Sequence, residues 1–99
     1  MSTYVKFSMR NQHAGRAMNV VFGMAASRMG LESSRQIYSE MGVLDGDETI
    51  VLDGQTLPLH SVYKVTADFN ELEKGVLEGL DVSVSEEPPA GYRPTVSFA

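Results

Sequence analysis

TIVLDGQTLPL, residues 49–59, sets two short apolar runs on either side of Asp53-Gly54. An Asp-Gly pair supplies the left-handed positions of a two-residue turn, which makes this the strongest hairpin signal in the chain. Pro58 has no N–H to give, so the returning arm ends early or sits at a sheet edge. The topology turns on what these arms are. They are either two core strands or a small excursion ahead of the next strand.

Upstream, Thr3–Met9 alternates Val5, Phe7 and Met9 with Lys6 and Ser8 and reads as a strand. Asn11 caps a helix that runs to about Met29, where Gly30 supplies the stop. Met18, Val21, Phe22, Ala25 and Met29 form its buried stripe. Ser33 and Gln36 have capping-box spacing and predict a second helix, anchored by Ile37 and Tyr38 and ended by Gly42. Leu44–Glu48 is a turn.

Downstream, Ser61–Ala67 reads as a strand. Asp68 with Glu71 predicts a cap for a helix to about Leu80, with Phe69, Leu72, Val76, Leu77 and Leu80 as its apolar stripe. Asp81–Ser85 alternates like a strand. Residues 86–91, a stiff polar stretch containing Pro88, Pro89 and Gly91, connect it to a C-terminal strand or tail at Tyr92–Ala99. The expectation is one α+β domain over residues 1–99, an antiparallel sheet with helices on one face. The order suits a ferredoxin-like split βαβ plus an extra C-terminal strand, with a β-grasp-like arrangement as the alternative. That superfold hosts many activities and names none.

Ninety-nine residues with 42% hydrophobic content suit one core without metal or disulfide support. With no cysteine, thiolate chemistry and Cys-containing zinc sites are excluded, which fits a reducing compartment and a cytoplasmic location. The N-terminus lacks the pattern of a secretory signal. The longest nearly apolar run, Val20–Ala26, falls far short of the roughly 20 residues a membrane helix needs, so no membrane is expected as a partner.

Charge is sorted along the chain. Lys6, Arg10, Arg16, Arg28 and Arg35 face only Glu32 in residues 1–39, while residues 40–99 set twelve acids against Lys64, Lys74 and Arg93. Asp45, Asp47, Glu48, Glu71, Glu73 and Glu78 are read as a surface that docks on a basic partner protein, such as one that processes nucleic acid; the plain alternative is a solvated face. On the first helix, His13, Ala17, Val20 and Met24 make a second strip. Either the second helix covers it, or Arg16, Val20, Met24 and Arg28 form a partner or oligomer face.

No motif points to chemistry. There is no phosphate-binding glycine pattern, no GxSxG and no HExxH. Asp45-Gly46-Asp47-Glu48 fails as a calcium loop because Ile50 and Thr56 stand where glycine and glutamate are required. His13 and His60 have no oriented partner in sequence and read as surface or capping residues. Catalytic residues, metal and cofactor are therefore expected to be none. Tyr4, Lys6, Ser8 and Lys64 share one sheet face in this topology, yet the RNP1 pattern is missing and the net charge is −5, so nucleic acid is disfavoured. The expected function is a small non-enzymatic protein-interaction domain, an inhibitor or adaptor. The alternatives are a homo-oligomerising accessory protein, through the first helix or a sheet edge, and a weak nucleic-acid binder through the basic N-terminal part.

Overall fold

In the computed structural model, which describes residues 2–98 with the Gln12 side chain excepted, the elements follow the chain as β1 (Thr3–Ser8), α1 (Gln12–Arg28), a 3-10 turn (Ser34–Ile37), β2 (Tyr38–Leu44), β3 (Thr49–Leu52), β4 (Gln55–Pro58), β5 (His60–Val65), α2 (Glu71–Gly79), β6 (Ser83–Ser85) and β7 (Tyr92–Ser97). Five strands lie in the order β6-β1-β5-β2-β7, and β3 with β4 forms a separate two-stranded ribbon. Every pairing is antiparallel. The chain is thus an α+β domain with an antiparallel sheet and two α-helices. No helix among the described residues is long and apolar enough to cross a membrane.

The alternation of β1 decides which face is dry. Thr3 and Val5 are buried, and Phe7 packs on the core; their partners across the ladder are Val65, Tyr63 and Ser61. Val5, Val65 and Val82 join Met18, Val21, Phe22 and Ala25 of α1 and Leu77 of α2 in one cluster. Phe22 is its aromatic centre, stacked on Phe69 at 5.6 Å and edge-on to Tyr38 at 5.4 Å. Asn11 caps α1 as expected, its Oδ1 accepting from the Ala14 N–H at 3.1 Å. Its Nδ2 also donates to the Leu80 carbonyl at 3.1 Å, which ties the start of α1 to the end of α2.

The Asp53-Gly54 hairpin is present, with φ of 50° and 78° at the two turn residues. It resolves the topological choice as an excursion: β3 and β4 pair with each other and stay out of the main sheet.

The second helix is not there. The Ser33–Gln36 capping box forms, but it starts only the 3-10 turn, and Tyr38 onward is β2. The strand carries a register shift between Tyr38 and Glu40. The bulge puts Tyr38 and Met41 on one face three residues apart, and a capping box, being local, forms equally well on a single turn that no helix continues. Gly42 is a strand residue rather than a helix stop. A Cβ there would meet the Arg93 carbonyl and lie 2.7 Å from the Tyr92 ring. That space lets Tyr92 cross the sheet, set its ring edge-on to Tyr4 at 5.3 Å and donate to Glu40 Oε1 at 2.8 Å.

Helix α2 also starts two residues later than its spacing predicts. Asn70 and Glu73 make the capping box, not Asp68 and Glu71. Phe69 stays outside the helix and fills the core. Within the helix Glu73 and Leu77 are buried, whereas Leu72 and Val76 of the expected stripe are exposed. Tyr92–Ser97 joins the sheet beside β2, while Ala99 lies outside the described residues.

Candidate functional site

Helix α2 is held at its N-terminus by a charged cap. Asn70 Oδ1 accepts from the Glu73 N–H at 2.9 Å, and Glu73 Oε1 accepts from the Asn70 N–H at 2.9 Å. The same carboxylate receives Nη2 of Arg28 at 2.8 Å, so Arg28, expected on a free face of α1, is committed to an ion pair. Glu73 is 2% exposed and cannot serve an acidic surface. Burial pushes its carboxyl up, but the Arg28 guanidinium and the Asn70 N–H outweigh that and hold it below the usual carboxylate range.

With Glu73 and Leu77 facing in, the other side of α2 faces water. It carries Glu71 and Glu78 together with Leu72, 66% exposed, and Val76, 40% exposed. Apolar side chains left wet beside acids are what a docking face needs, because the acids orient a partner and the apolar groups are removed from water on contact. Gly75 and Gly79 lie between them with open space above. Glu78 also lines a cavity of about 420 Å³ with Asp68, Lys74 and Glu86. Asp68 and Glu86 lie 18 residues apart in sequence, in the connections before α2 and after β6, and only the fold gathers them.

The remaining acids lie elsewhere. Asp45, Asp47 and Glu48 follow β2, next to edge strand β7, whereas α2 packs against β6 at the opposite edge. The six acids therefore form no single surface. Asp45 pairs with Arg93 at 2.9 Å in solvent. Asp47 turns in: its Oδ2 accepts from the His60 N–H at 2.8 Å and its Oδ1 lies 2.9 Å from His60 Nδ1. Burial pushes the Asp47 carboxyl up, but the His60 hydrogen bonds hold it below its ordinary value. This pair, with Leu59 N–H donating to Glu48 O at 2.8 Å, fastens the base of the hairpin. His13 is exposed on α1.

On α1, Val20 and Met24 are 65% and 44% exposed. The second helix expected to cover them is only the 3-10 turn Ser34–Ile37, which packs against α1 but leaves both exposed, and the chain from Tyr38 on is β2. Arg16 is exposed too, at the margin of a cleft beside the sheet.

The face of the sheet away from the main cluster carries Tyr4, Lys6 and Lys64, as the register dictates. Lys64 Nζ sits 6.0 Å from the centre of the Tyr4 ring, and Tyr92 meets the same ring edge-on. The stacking platform is thus already partnered within the chain. On the core side, burial raises the Tyr63 hydroxyl and pushes Tyr38 up to about 12, so both phenols stay neutral. Among the described residues, no three histidine or carboxylate side chains gather as a metal site would need.

No protein-family model matches the chain, nor does any curated protein or solved structure.

Proposed function

We propose that this chain is a non-enzymatic protein-interaction domain whose docking face is the wet side of α2. The observation that carries this reading is the exposure of Leu72 and Val76 beside Glu71 and Glu78 on a helix whose inner side is filled. A basic partner, such as a nucleic-acid-processing protein, is steered by Glu71 and Glu78 and held by the apolar pair. We further read the fold as a ferredoxin-like split βαβ with the hairpin inserted before its third strand and β7 appended. The antiparallel neighbours β6-β1-β5-β2 support that reading.

The test compares immobilised wild type with an E71K/E78K variant in lysate of the source cell. Proteins held by the first and lost from the second are identified, purified and measured as pairs. The reading expects slower association and a flatter salt dependence after charge reversal. Equal kinetics for both chains would reject the α2 face.

A second reading is self-association through α1, favoured by the exposure of Val20 and Met24. Sedimentation of wild type against Met24→Glu separates the cases. A wild type that stays monomeric at every concentration removes it.

A further inference from the structure

The second helix that did not form leaves a gap. Both helices pack over β6, β1 and β5, and of β2 only Tyr38 reaches α1, edge-on to Phe22, so the apolar residues at the β7 edge of the same face are left without a helix above them. Val96 and Phe98 are accordingly exposed. Two cavities open here, one between α1 and the ends of β1 and β5 and one at the β2 edge. One, of about 420 Å³, lies along α1 over Met9, Met18 and Met41. The other, of about 400 Å³, lies over Tyr38 and Phe98. Met41 and Tyr63 line both, so the two lie side by side as neighbouring halves of one cleft region.

Its charge is opposite to that of the chain. Arg16 lines the first cavity and Arg35 the second, with no carboxylate in either lining, in a protein of net charge −5. Neither guanidinium takes part in an ion pair among the described residues. The floor is methionine and tyrosine. Methionine adapts to varied partner shapes, and the Tyr38 hydroxyl, donating to Asn19 Oδ1 at 2.9 Å, fixes one wall.

We infer that this cleft takes an acidic amphipathic helix from a partner protein. Its apolar stripe rests on Met41, Tyr63 and Phe98, and its carboxylates reach Arg16 and Arg35. A helix fits because the gap lies beside α1 in the helical layer, where a third helix completes the cover of the sheet. Strand addition along β7 is opposed by Pro94, which gives that strand one donor fewer. This surface is separate from the α2 face and does not depend on it.

The test uses the methionine methyls as reporters, since Met9, Met18 and Met41 line the cleft and Met24 and Met29 do not. Methyl-labelled protein is titrated with a synthetic peptide of about 15 residues, long enough to hold helix, with Leu at i, i+3, i+4 and i+7 and Glu and Ala elsewhere. A second peptide carries Lys for Glu. The expected result is movement of the Met9, Met18 and Met41 signals with the Glu peptide, leaving Met24 and Met29 in place. The expected loss is at least tenfold in affinity with the Lys peptide, and the same with R16E/R35E. R16Q/R35Q serves if charge reversal disturbs folding, with a smaller loss expected. Cleft signals unmoved at the highest soluble peptide concentration overturn the inference, as does equal binding by both peptides. Cleft signals that move with protein concentration alone would assign the cleft to a second copy of this chain, and overturn it too.

Discussion

Arg28 in the last turn of α1 sets its Nη2 2.8 Å from Oε1 of Glu73 in the first turn of α2. One ion pair thereby joins the end of one helix to the start of the other. Both ends gain, because a cation suits a helix C-terminus and an anion an N-terminus. Arg28 also donates to the Asp68 carbonyl, so the chain leading into α2 is held by the same side chain.

Glu73→Gln should destabilise the domain by about 2 kcal/mol. Breaking a buried pair costs more, but the Arg28 head is partly in water and rehydrates when its partner is lost. The cost should depend on pH in a known direction. The folded Glu73 carboxyl titrates below its ordinary value of 4.5, so its contribution is complete above that value and fades as pH falls through the folded pKa. Thermal unfolding of both chains from neutral to acid pH should show their midpoints converging. A constant gap would contradict the charge-based account.

Leu72→Ser and Leu77→Ala make a paired control on the orientation of α2. The exposed Leu72 should tolerate the change within about 0.5 kcal/mol. The fully buried Leu77 should cost about 2–5 kcal/mol. Urea denaturation decides, and similar losses at both positions would mean that the helix presents a different side to the core.

Gly42→Ala should free β7. The added methyl meets the Arg93 backbone and the Tyr92 ring, and backbone cannot swing aside as a side-chain tip can. Overpacking of this kind costs about 1–3 kcal/mol. Amide exchange should accelerate at Tyr92–Ser97 while β1 and β5 keep their protection. Unchanged exchange in β7 would show that the strand has room to move.

Asp47→Ala should loosen the hairpin selectively. It removes the acceptor for the His60 N–H and the contact to Nδ1. Exchange at residues 49–58 should quicken with the main sheet unaffected, since β3 and β4 pair only with each other. Acid should act on the wild type in the same way, because the Asp47 carboxylate is held below its ordinary pKa and is neutralised only as pH falls through that lowered value.

The parts legible in advance were those with local causes. Asn11 caps α1 because its side chain needs only Ala14, three residues on. Asp53-Gly54 makes its turn because those two residues alone reach the required φ values at low cost. Capping-box spacing was less decisive. Asp68 with Glu71 and Asn70 with Glu73 both satisfy it, and what separates them is Arg28, 45 residues away, which can pair only with the second frame's glutamate.

The candidate site was legible only in composition. Glu71 and Glu78 were in view as acids, but their apolar companions Leu72 and Val76 were assigned to the core. Opposed charged halves along the chain likewise do not survive folding as two halves. The sheet order inserts basic β1 between β5 and β6 from the acidic part.

Read alone, the 99 residues determined an α+β chain with its first helix, its hairpin and its lack of thiol chemistry, because each depends on near neighbours or on composition. Tertiary structure decided that residues 38–44 are a strand, which way α2 faces, and that Arg16 and Arg35 flank an open cleft. A strand exists only through its partners, and the burial of Glu73 depends on a guanidinium supplied by another helix.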